Sequence, residues 1–474
     1  MWLRTQQSPD DKAMFRLFKH YIPHAVMLLA LFDVVLLLSA GELGWQVRAS
    51  QIDIDPGDFS DRALPMAGFA VVLWTAMVSV GVYGAQALRS MQFAGTRLLV
   101  AVSLGIIALS VIEFFAPGET FWRSTLLYAM GFAILFLVAN RLLIGSLLGT
   151  SAFRRRVMVL GAGKRAERLR ALGMKPEAGF AIVSFIGMNE GEPVVEEAIP
   201  RGAIHDLGRF VDNLGVSEVV LALEERRNAL PLKDLLRMKT QGVHINDFSS
   251  FMERETGRVD LDSVNPSWLI FSDGFSSGRM VSSVAKRVFD IVASLLLLVL
   301  AAPLILVFAV LVKLDSKGPA FFRQKRVGLY GQDFELVKLR SMRTDAEKDG
   351  AKWAQENDPR VTRLGRFIRK VRLDELPQLW TVLKGQMSFV GPRPEVPQFV
   401  ADLDDKLRYY AERHMVKPGI TGWAQINYPY GASIEDSRHK LEYDLYYAKN
   451  YTPFLDLLIL LQTLRVVLWP EGAR

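Results

Sequence analysis

Two adjacent carboxylates, Asp374 and Glu375, follow a dense run of basic residues. This run places six cations within thirteen residues, namely Arg360, Arg363, Arg366, Arg369, Lys370 and Arg372. Arginines bind phosphate oxygens through paired hydrogen bonds. An ionised carboxylate beside them has the chemistry of a nucleophile or a Mg²⁺ ligand. The pattern therefore predicts chemistry on a substrate that carries phosphate.

The basic run and the acids are predicted to come directly before a helix break around Leu376. At helical spacing Arg363, Arg366 and Arg369 share one face, and Pro377 disfavours helical geometry at Leu376. Guanidinium groups close to the acids predict lowered carboxyl pKa values. A charged surface facing solvent or lipid headgroups is the alternative interpretation of the run.

Further basic residues lie in short strand or turn segments around the acids. Arg393 stands between Pro392 and Pro394, a stiff mount that lowers the entropy cost of placing a guanidinium. The other candidate phosphate-binding residues are Arg369 in the basic run, and Arg323, Lys338 and Arg340 in RQKRVG and FELVKLRSM. Each segment by itself is compatible with a structural role, whereas the segments in combination specifically indicate a phosphate-binding site.

Four apolar runs in the first third of the chain approach the ~20 residues that span a bilayer. They are Ile22–Ala40, Ala63–Leu88, Leu98–Ala116 and Ser124–Asn140. Basic residues flank both ends of the unit and acids fill the first loop, so both ends are predicted to be cytoplasmic. Two acids, Asp33 and Glu113, interrupt the runs, and we expect them to pack inward with hydrogen bonds to neighbouring helices.

A soluble segment follows, in which strand and helix patterns alternate. RRVMVLGAGKRAERL indicates a strand, a glycine turn and a helix, and FAIVSFIGM and SEVVLALE indicate further strands. This order predicts a Rossmann-type parallel sheet. Ala166 takes the third glycine position of the dinucleotide motif, which tolerates alanine. The alternatives are nucleotide binding and a fold kept as a spacer or as a homodimer contact.

A fifth apolar run, Ile291–Val312, has basic residues on both sides. The positive-inside rule therefore places both flanks in the cytoplasm. Pro303, after Ala302, removes a backbone donor and predicts a kink. We predict that this segment re-enters the membrane surface instead of spanning it.

Composition limits the other function classes. The chain has 474 residues, of which 50% are hydrophobic, and no cysteine. Disulfides, thiolate catalysis and cysteine-ligated metals are therefore excluded. In a membrane protein, the net charge of +7 indicates contact with anionic lipid and not with nucleic acid.

Several motifs together resemble a known family. They are KRVFDIVAS, KGPAFFRQKRVG, KLRSM, VTRLGRFIRKVRLDELPQLWTVLKG, MSFVGPRP and KPGITGWAQIN. From about Lys286 to its C-terminus the chain resembles the bacterial polyprenyl-phosphate sugar-1-phosphate transferases, the monotopic phosphoglycosyl transferases. The whole arrangement is similar to the long members that prime exopolysaccharide or O-antigen synthesis.

The resemblance implies transfer of a sugar-1-phosphate, expected to be a hexose-1-phosphate, from a UDP-sugar to undecaprenyl phosphate, with release of UMP. Asp374 matches the family's nucleophile, so a covalent aspartyl-phosphosugar is implied. Mg²⁺, with Asp374 as a ligand, and the candidate cations would neutralise phosphate charge. Glu375 would support the metal, orient Asp374 or assist proton movement. Ala302 stands where the family often has serine. A hydrogen bond from that serine, which would support the kink, is therefore not expected here, whereas the kink itself still is.

The predicted architecture has three parts. Residues 1–150 form a four-helix transmembrane unit, 151–275 a Rossmann-like parallel α/β domain, and 276–474 a monotopic α/β catalytic domain with a re-entrant helix over 290–312. The expected location is the bacterial inner membrane, with the catalytic domain on the cytoplasmic face. The alternative function is a non-catalytic membrane scaffold and nucleotide sensor for polysaccharide export. A sugar-nucleotide dehydratase is excluded because the chain has no Tyr-x-x-x-Lys pair.

Overall fold

The computed structural model divides the chain into two compact units, Met1–Glu255 and Thr256–Arg474. The residues that it describes are 14–17, 20–83, 91–115, 123–148, 154–175, 178–188, 194–224, 230–264, 280–346, 358–429, 431 and 433–468. The predicted domain boundary at 275 lies outside these residues, so the three domain limits stay predictions.

Four long helices dominate the first unit, in agreement with the four predicted apolar segments, although the predicted ends at Leu88 and Ala116 lie outside the described residues. They follow a short antiparallel pair, β1 and β2 (Met14–Leu17 and His20–Pro23). The helices are α1 (His24–Gln51), α2 (Phe59–Val80), α3 (Met91–Phe115) and α4 (Arg123–Leu148). All four are long and apolar enough to cross a membrane.

The four helices bury a polar cluster inside their apolar core. Asp33 of α1 is fully buried and pairs with Arg141 of α4 at 2.6 Å. Tyr83 Oη and Asn140 Nδ2 donate hydrogen bonds to the same carboxylate at 2.9 and 2.8 Å. The prediction of inward, hydrogen-bonded packing is therefore confirmed for Asp33, and this pairing offsets the cost of a charge at membrane depth.

The rest of the first unit contains the predicted Rossmann-like sheet. Five parallel strands lie in the order β5-β4-β3-β6-β7. They are β3 (Arg155–Leu160), β4 (Phe180–Gly187), β5 (Ile199–Pro200), β6 (Glu218–Leu221) and β7 (His244–Asp247). The associated helices are α5 (Lys164–Gly173), α6 (Leu207–Asn213), α7 (Leu232–Thr240) and α8 (Phe248–Thr256). Separate apolar clusters cover the two faces of the sheet.

The glycine turn after β3 is tightly packed. Gly161 has φ +123°, and a Cβ atom there would lie 3.0 Å from the backbone of Ala222. Ala166 is fully buried, so the alanine at the third motif position serves close packing of α5.

The second unit combines one long helix with small strand pairs and short helices. The long helix is α9 (Met280–Asp315). An antiparallel hairpin, β8 (Phe321–Val327) and β9 (Asp333–Leu339), follows it, and β10 (Ser388–Val390) pairs with β11 (Gly419–Thr421) in parallel. The other helices are α10 (Arg363–Lys370), α11 (Gln378–Leu383), α12 (Pro397–Lys406), α13 (Trp423–Asn427), α14 (Ile434–Asn450) and α15 (Pro453–Leu468).

Both ends of α9 contact the same unit. Near its start, Lys286 donates a hydrogen bond to the carbonyl of Val390 at 3.0 Å. Near its end, Arg340 donates to the carbonyls of Val312 and Ser316 at 3.2 and 2.6 Å. A spanning helix would place its ends on opposite faces of a hydrocarbon layer about 30 Å thick. The contacts at both ends therefore favour the predicted re-entry.

The helix α9 runs as one element through Ala302 and Pro303, and the kink expected at these two residues stays a prediction. Its inner face is buried, with Ser294 fully inaccessible and Ala301 only 7% exposed. Its outer face presents a run of large apolar side chains, including Val299 and Leu306 at 72% and 68% exposure. An apolar face of this extent is typical of a surface that contacts lipid.

Candidate active site

The two acids lie in a short turn between α10 and α11. Helix α10 ends at Lys370, and Arg372 then takes the left-handed conformation with φ 60° and ψ 17°. Leu373–Glu375 form one 3₁₀ turn. The predicted helix break around Leu376 is thus wrong, because a left-handed residue ends the helix earlier.

Three cations surround one oxygen of Glu375. Lys338 Nζ and Arg393 Nη2 each lie 3.3 Å from Glu375 Oε1, and Arg372 Nη1 lies 3.6 Å from it. Lys338 comes from β9 and Arg393 from the loop after β10. The structure thus brings together three segments that are far apart in sequence, with Lys338 and Arg393 beside the acids. Their phosphate-binding role stays a prediction.

The neighbouring acids have opposite electrostatic environments. Burial raises the pKa of Asp374, and the charge of Glu375 adds to this effect, while Lys338, Arg369 and Arg372 oppose it. Burial alone would also raise the pKa of Glu375, but Arg393, Lys338 and Arg372 lower it to about 2. The expected lowering of the carboxyl pKa is therefore confirmed for Glu375 and wrong for Asp374, because burial outweighs the cations there.

Asp374 is buried and incompletely paired. Its exposure is 8%, and its Oδ1 atom has no hydrogen-bond partner in the described part of the chain. Buried polar atoms are paired in nearly all folded proteins, and exceptions often mark reactive sites. A desolvated carboxylate oxygen without a partner is suited to attack an electrophile or to bind a cation.

The loop that carries Arg393 is held through its backbone. The carbonyls of Pro392, Arg393 and Pro394 each accept a hydrogen bond, from Gly419 N, Arg413 Nη2 and Arg326 Nη1 at 2.9, 3.0 and 2.9 Å. The two prolines also restrict φ on either side of the arginine. The predicted stiff mount therefore exists, and hydrogen bonds reinforce it.

Lys338 is a partly buried cation in contact with an acid. Its side chain is 20% exposed. Burial lowers the pKa of Lys338, and Arg393 adds to this, while Glu375 and Asp374 oppose it. Removal of the acidic pair would thus leave this ammonium group poorly compensated.

Arg340 and Arg323 have contacts that differ from their predicted role. Arg340 is 5% exposed and donates hydrogen bonds to the carbonyls of Lys317, Ser316 and Val312. These bonds cap the C-terminal end of α9, and this geometry favours a structural role over a phosphate contact. Arg323 forms an exposed pair with Glu335 on the hairpin at 3.4 Å, and no described contact joins it to the acids.

The acids could bind a Mg²⁺ ion only if water and substrate phosphates supplied further ligands. No group of three histidine or acidic side chains in the described ranges forms a metal cage. Mg²⁺ commonly binds one or two carboxylates and completes its shell with water and substrate phosphates. The unpartnered Asp374 oxygen suits such a ligand, whereas Glu375 is already engaged by cations.

Three positioning contacts were missed by sequence reasoning. Arg413 forms a buried ion pair with Asp444 at 2.7 Å. Asp290 in α9 accepts hydrogen bonds from Ser388 Oγ and Phe389 N at 3.0 and 3.1 Å. The third is the pair between Lys286 and Asp456 at 2.5 Å. Asp290, an acid next to the apolar run of α9, was the one sequence feature that could have indicated such a contact. The partners in the other pairs are too distant in sequence to be matched.

Two family models match this chain. The bacterial sugar transferase model covers residues 281–470, which include all but the first residue of α9 and every residue of the acidic site. The CoA-binding domain model covers residues 78–245, which include most of the parallel sheet.

Curated relatives match over the same region. The chain is 46% identical over 240 residues to the UDP-N-acetylgalactosamine-undecaprenyl-phosphate N-acetylgalactosaminephosphotransferase of Aeromonas hydrophila, covering 51% of this chain and 56% of that protein. It is 44% identical over 193 residues to the UDP-glucose:undecaprenyl-phosphate glucose-1-phosphate transferase of Xanthomonas campestris pv. campestris, covering 40% of each chain. A protein of the same name from Caulobacter vibrioides is 41% identical over 197 residues, which are 41% of this chain and 74% of that protein. The chain thus spans about half the length of the long relatives.

Proposed function

This chain belongs to the bacterial sugar transferase family, and on that premise we propose that it transfers a hexose-1-phosphate from a UDP-sugar to undecaprenyl phosphate. The products are undecaprenyl-diphosphate-sugar and UMP, and the reaction primes exopolysaccharide or O-antigen synthesis. The observation that carries the proposal is the buried, unpartnered oxygen of Asp374 beside a Glu375 that holds three cations.

In the first half-reaction, an Asp374 oxygen attacks the β-phosphorus of the donor. A bond forms between the carboxylate and phosphorus, the bond from that phosphorus to the bridging oxygen breaks, and UMP leaves. A carboxylate in a poorly hydrated site loses less hydration energy on attack, which favours the step. Lys338 and Arg393 stabilise the charge on the transferred phosphate.

In the second half-reaction, a phosphate oxygen of undecaprenyl phosphate attacks the same phosphorus, and Asp374 leaves as a carboxylate. The reaction is therefore ping-pong and regenerates the enzyme. Mg²⁺, when bound by Asp374 and substrate phosphates, would neutralise phosphate charge. Glu375 stays ionised throughout because its pKa is about 2, so we assign it the role of holding Lys338 and Arg393 in place.

We place this chemistry at the cytoplasmic face of the bacterial inner membrane. The outer face of α9 is apolar, and α10 and α11 expose Phe367 and Trp380 at 52% each. Lys384 lies over the Trp380 ring at 5.7 Å. Aromatic side chains with adjacent cations suit the headgroup layer, where the phosphate of the lipid acceptor also lies.

The test of this proposal is UMP release by the full chain in membranes, with and without undecaprenyl phosphate and Mg²⁺. UDP-glucose, UDP-galactose and UDP-N-acetylgalactosamine are compared as donors, with Asp374→Asn as the control. Release that requires Asp374 supports the transferase, and the fastest donor identifies the sugar. If no UDP-sugar yields UMP under any condition, the scaffold and nucleotide-sensor alternative replaces it.

We also propose that the protein forms a homodimer through the Rossmann-like segment. The segment has a complete, separately packed core, which is consistent with a role other than catalysis. Light scattering of the detergent-solubilised chain tests this, and a monomeric mass would refute it.

A further inference from the structure

Arg372 has a backbone conformation that glycine adopts more easily. Its φ of 60° and ψ of 17° are left-handed, and it follows the C-cap residue Val371 of α10. Glycine is the usual residue at this position of a helix end. A left-handed conformation is unfavourable for a residue with a Cβ atom. An arginine in this strained conformation points to a task for its side chain.

The guanidinium of Arg372 is the least constrained of the three cations around Glu375. Its side chain is 65% exposed, compared with 20% for Lys338 and 38% for Arg393. Its 3.6 Å separation from Glu375 Oε1 is also the longest of the three. Exposed pairs of this kind contribute little free energy, so Arg372 can leave Glu375 at little cost.

The site carries more positive than negative charge. Four cations influence the acids, namely Lys338, Arg369, Arg372 and Arg393, against the two carboxylates. The positive charge of these side chains suits an anionic ligand such as the diphosphate of a nucleotide sugar.

We propose that Arg372 binds the diphosphate of the sugar-nucleotide donor, moving from Glu375 to the donor when it arrives. This inference rests on the proposed transferase function and adds a donor-binding residue to it. A guanidinium suits the role because its donors match two phosphate oxygens at once. Arg372 stands two residues before Asp374, and its side chain is largely exposed.

Two other roles for Arg372 make different predictions. If the role of Arg372 is only to end α10, the glycine variant should keep the wild-type activity. If its purpose is to pair with Glu375, a lysine should serve nearly as well as arginine, because a single point charge is enough. Donor binding instead requires a cation and is best served by a guanidinium.

The experiment compares Arg372→Gly and Arg372→Lys with the wild type in the donor-dependent release of UMP. Loss of a charge-assisted hydrogen bond should raise the donor KM by about 10- to 100-fold in Arg372→Gly. The expected kcat changes by less than about threefold, since such an interaction is made equally in the ground and transition states. Arg372→Lys should show a smaller increase in KM.

A second residue in the left-handed conformation provides a control for effects on folding. Tyr330 has φ 54° in the hairpin turn and is 74% exposed, so Tyr330→Gly relieves the same strain without removing a cation. Both glycine variants should keep or raise the thermal unfolding temperature, and Tyr330→Gly should keep the wild-type KM.

A wild-type donor KM in Arg372→Gly would overturn the inference, as would equal KM values in the glycine and lysine variants. A fall in kcat at constant KM would also overturn it, because it would assign Arg372 to the geometry of the turn. Failure of the proposed function is distinct, since wild-type chain would then release no UMP at all.

Discussion

Asp374 and Glu375 are consecutive residues whose environments shift their pKa values in opposite directions. Burial raises the pKa of Asp374, while Arg393, Lys338 and Arg372 overcome burial and lower the pKa of Glu375 to about 2. Two carboxyls with separated pKa values generally perform different tasks. Here the permanently ionised Glu375 holds the cations, and the less hydrated Asp374 is left for reaction.

This division of roles predicts unequal effects of neutralising the two acids. Asp374→Asn should abolish UMP release, because an amide cannot form the phosphorylated carboxylate. Glu375→Gln should retain the reaction at a rate reduced by about 10²- to 10³-fold, since it releases the cations that stabilise transferred charge. Single-turnover UMP release measures both, and equal losses in the two variants would contradict separate roles.

The pH dependence of UMP release should report the state of Asp374. The attacking carboxylate must be ionised, and its raised pKa places the acid limb of kcat/KM above the ~3.9 typical of aspartate. In Glu375→Gln the limb should move to lower pH, because the repelling charge is gone and Lys338 and Arg372 then favour an ionised Asp374. A limb that moves to higher pH would show that Glu375 does not repel Asp374.

The folded fraction must be measured across the same pH range. Glu375 has a lowered pKa in the folded state, so its ionisation stabilises the fold above its unfolded pKa of ~4.3. That contribution disappears as the pH falls toward about 2. Activity that is lost at the same pH as the folded structure must therefore not be attributed to protonation of Asp374.

Much of the fold and part of the site were predictable from sequence. Apolar length identified the membrane helices, and alternation of strands and helices identified the parallel sheet. Lys338 and Arg393 were predicted because each lies in a short motif with a clear chemical purpose. The contacts of Arg340 with backbone carbonyls were not predictable, because a motif shows which residue is present but not which groups its guanidinium meets. The contrast between Asp374 and Glu375 depends on burial, which the local sequence does not encode.

Lys338 should be essential for activity and sensitive to its charge. Lys338→Met keeps the apolar stem in place but removes the ammonium group 3.3 Å from Glu375 Oε1. We expect a loss of about 10²- to 10³-fold in kcat for UMP release, with part of it recovered in Lys338→Arg. Arg323→Met is the matched control, because Arg323 lies in an exposed pair and its removal should change activity less than about twofold. A fully active Lys338→Met variant would show that Lys338 has no role in the reaction.

The ion pair of Arg413 and Asp444 should be a stability determinant that also affects Arg393. Arg413 is 5% exposed, contacts Asp444 at 2.7 Å and donates a hydrogen bond to the carbonyl of Arg393. Arg413→Met leaves Asp444 buried without its cation, so we expect a loss of about 3–5 kcal/mol in unfolding free energy. Replacing both, as Arg413→Met with Asp444→Leu, should recover much of that stability but not the donor KM. Recovery of both would show that the pair does not position Arg393.

The contacts at both ends of α9 predict that its two flanks face the same side of the membrane. A 36-residue helix is about 54 Å long, enough to cross a bilayer if it were perpendicular. However, the second unit holds its start through Lys286 and its end through Arg340.

Because the chain has no cysteine, Ser283→Cys and Lys317→Cys provide clean reporters on the two flanks. A membrane-impermeable maleimide should label both from the cytoplasmic side of inverted vesicles and neither from the outside of intact cells. Labelling of the two cysteines from opposite sides would establish a spanning helix. In that case the lipid phosphate and the acidic pair would need another route to meet, because Asp290 and Lys286 tie the start of α9 to the same strand that precedes Arg393.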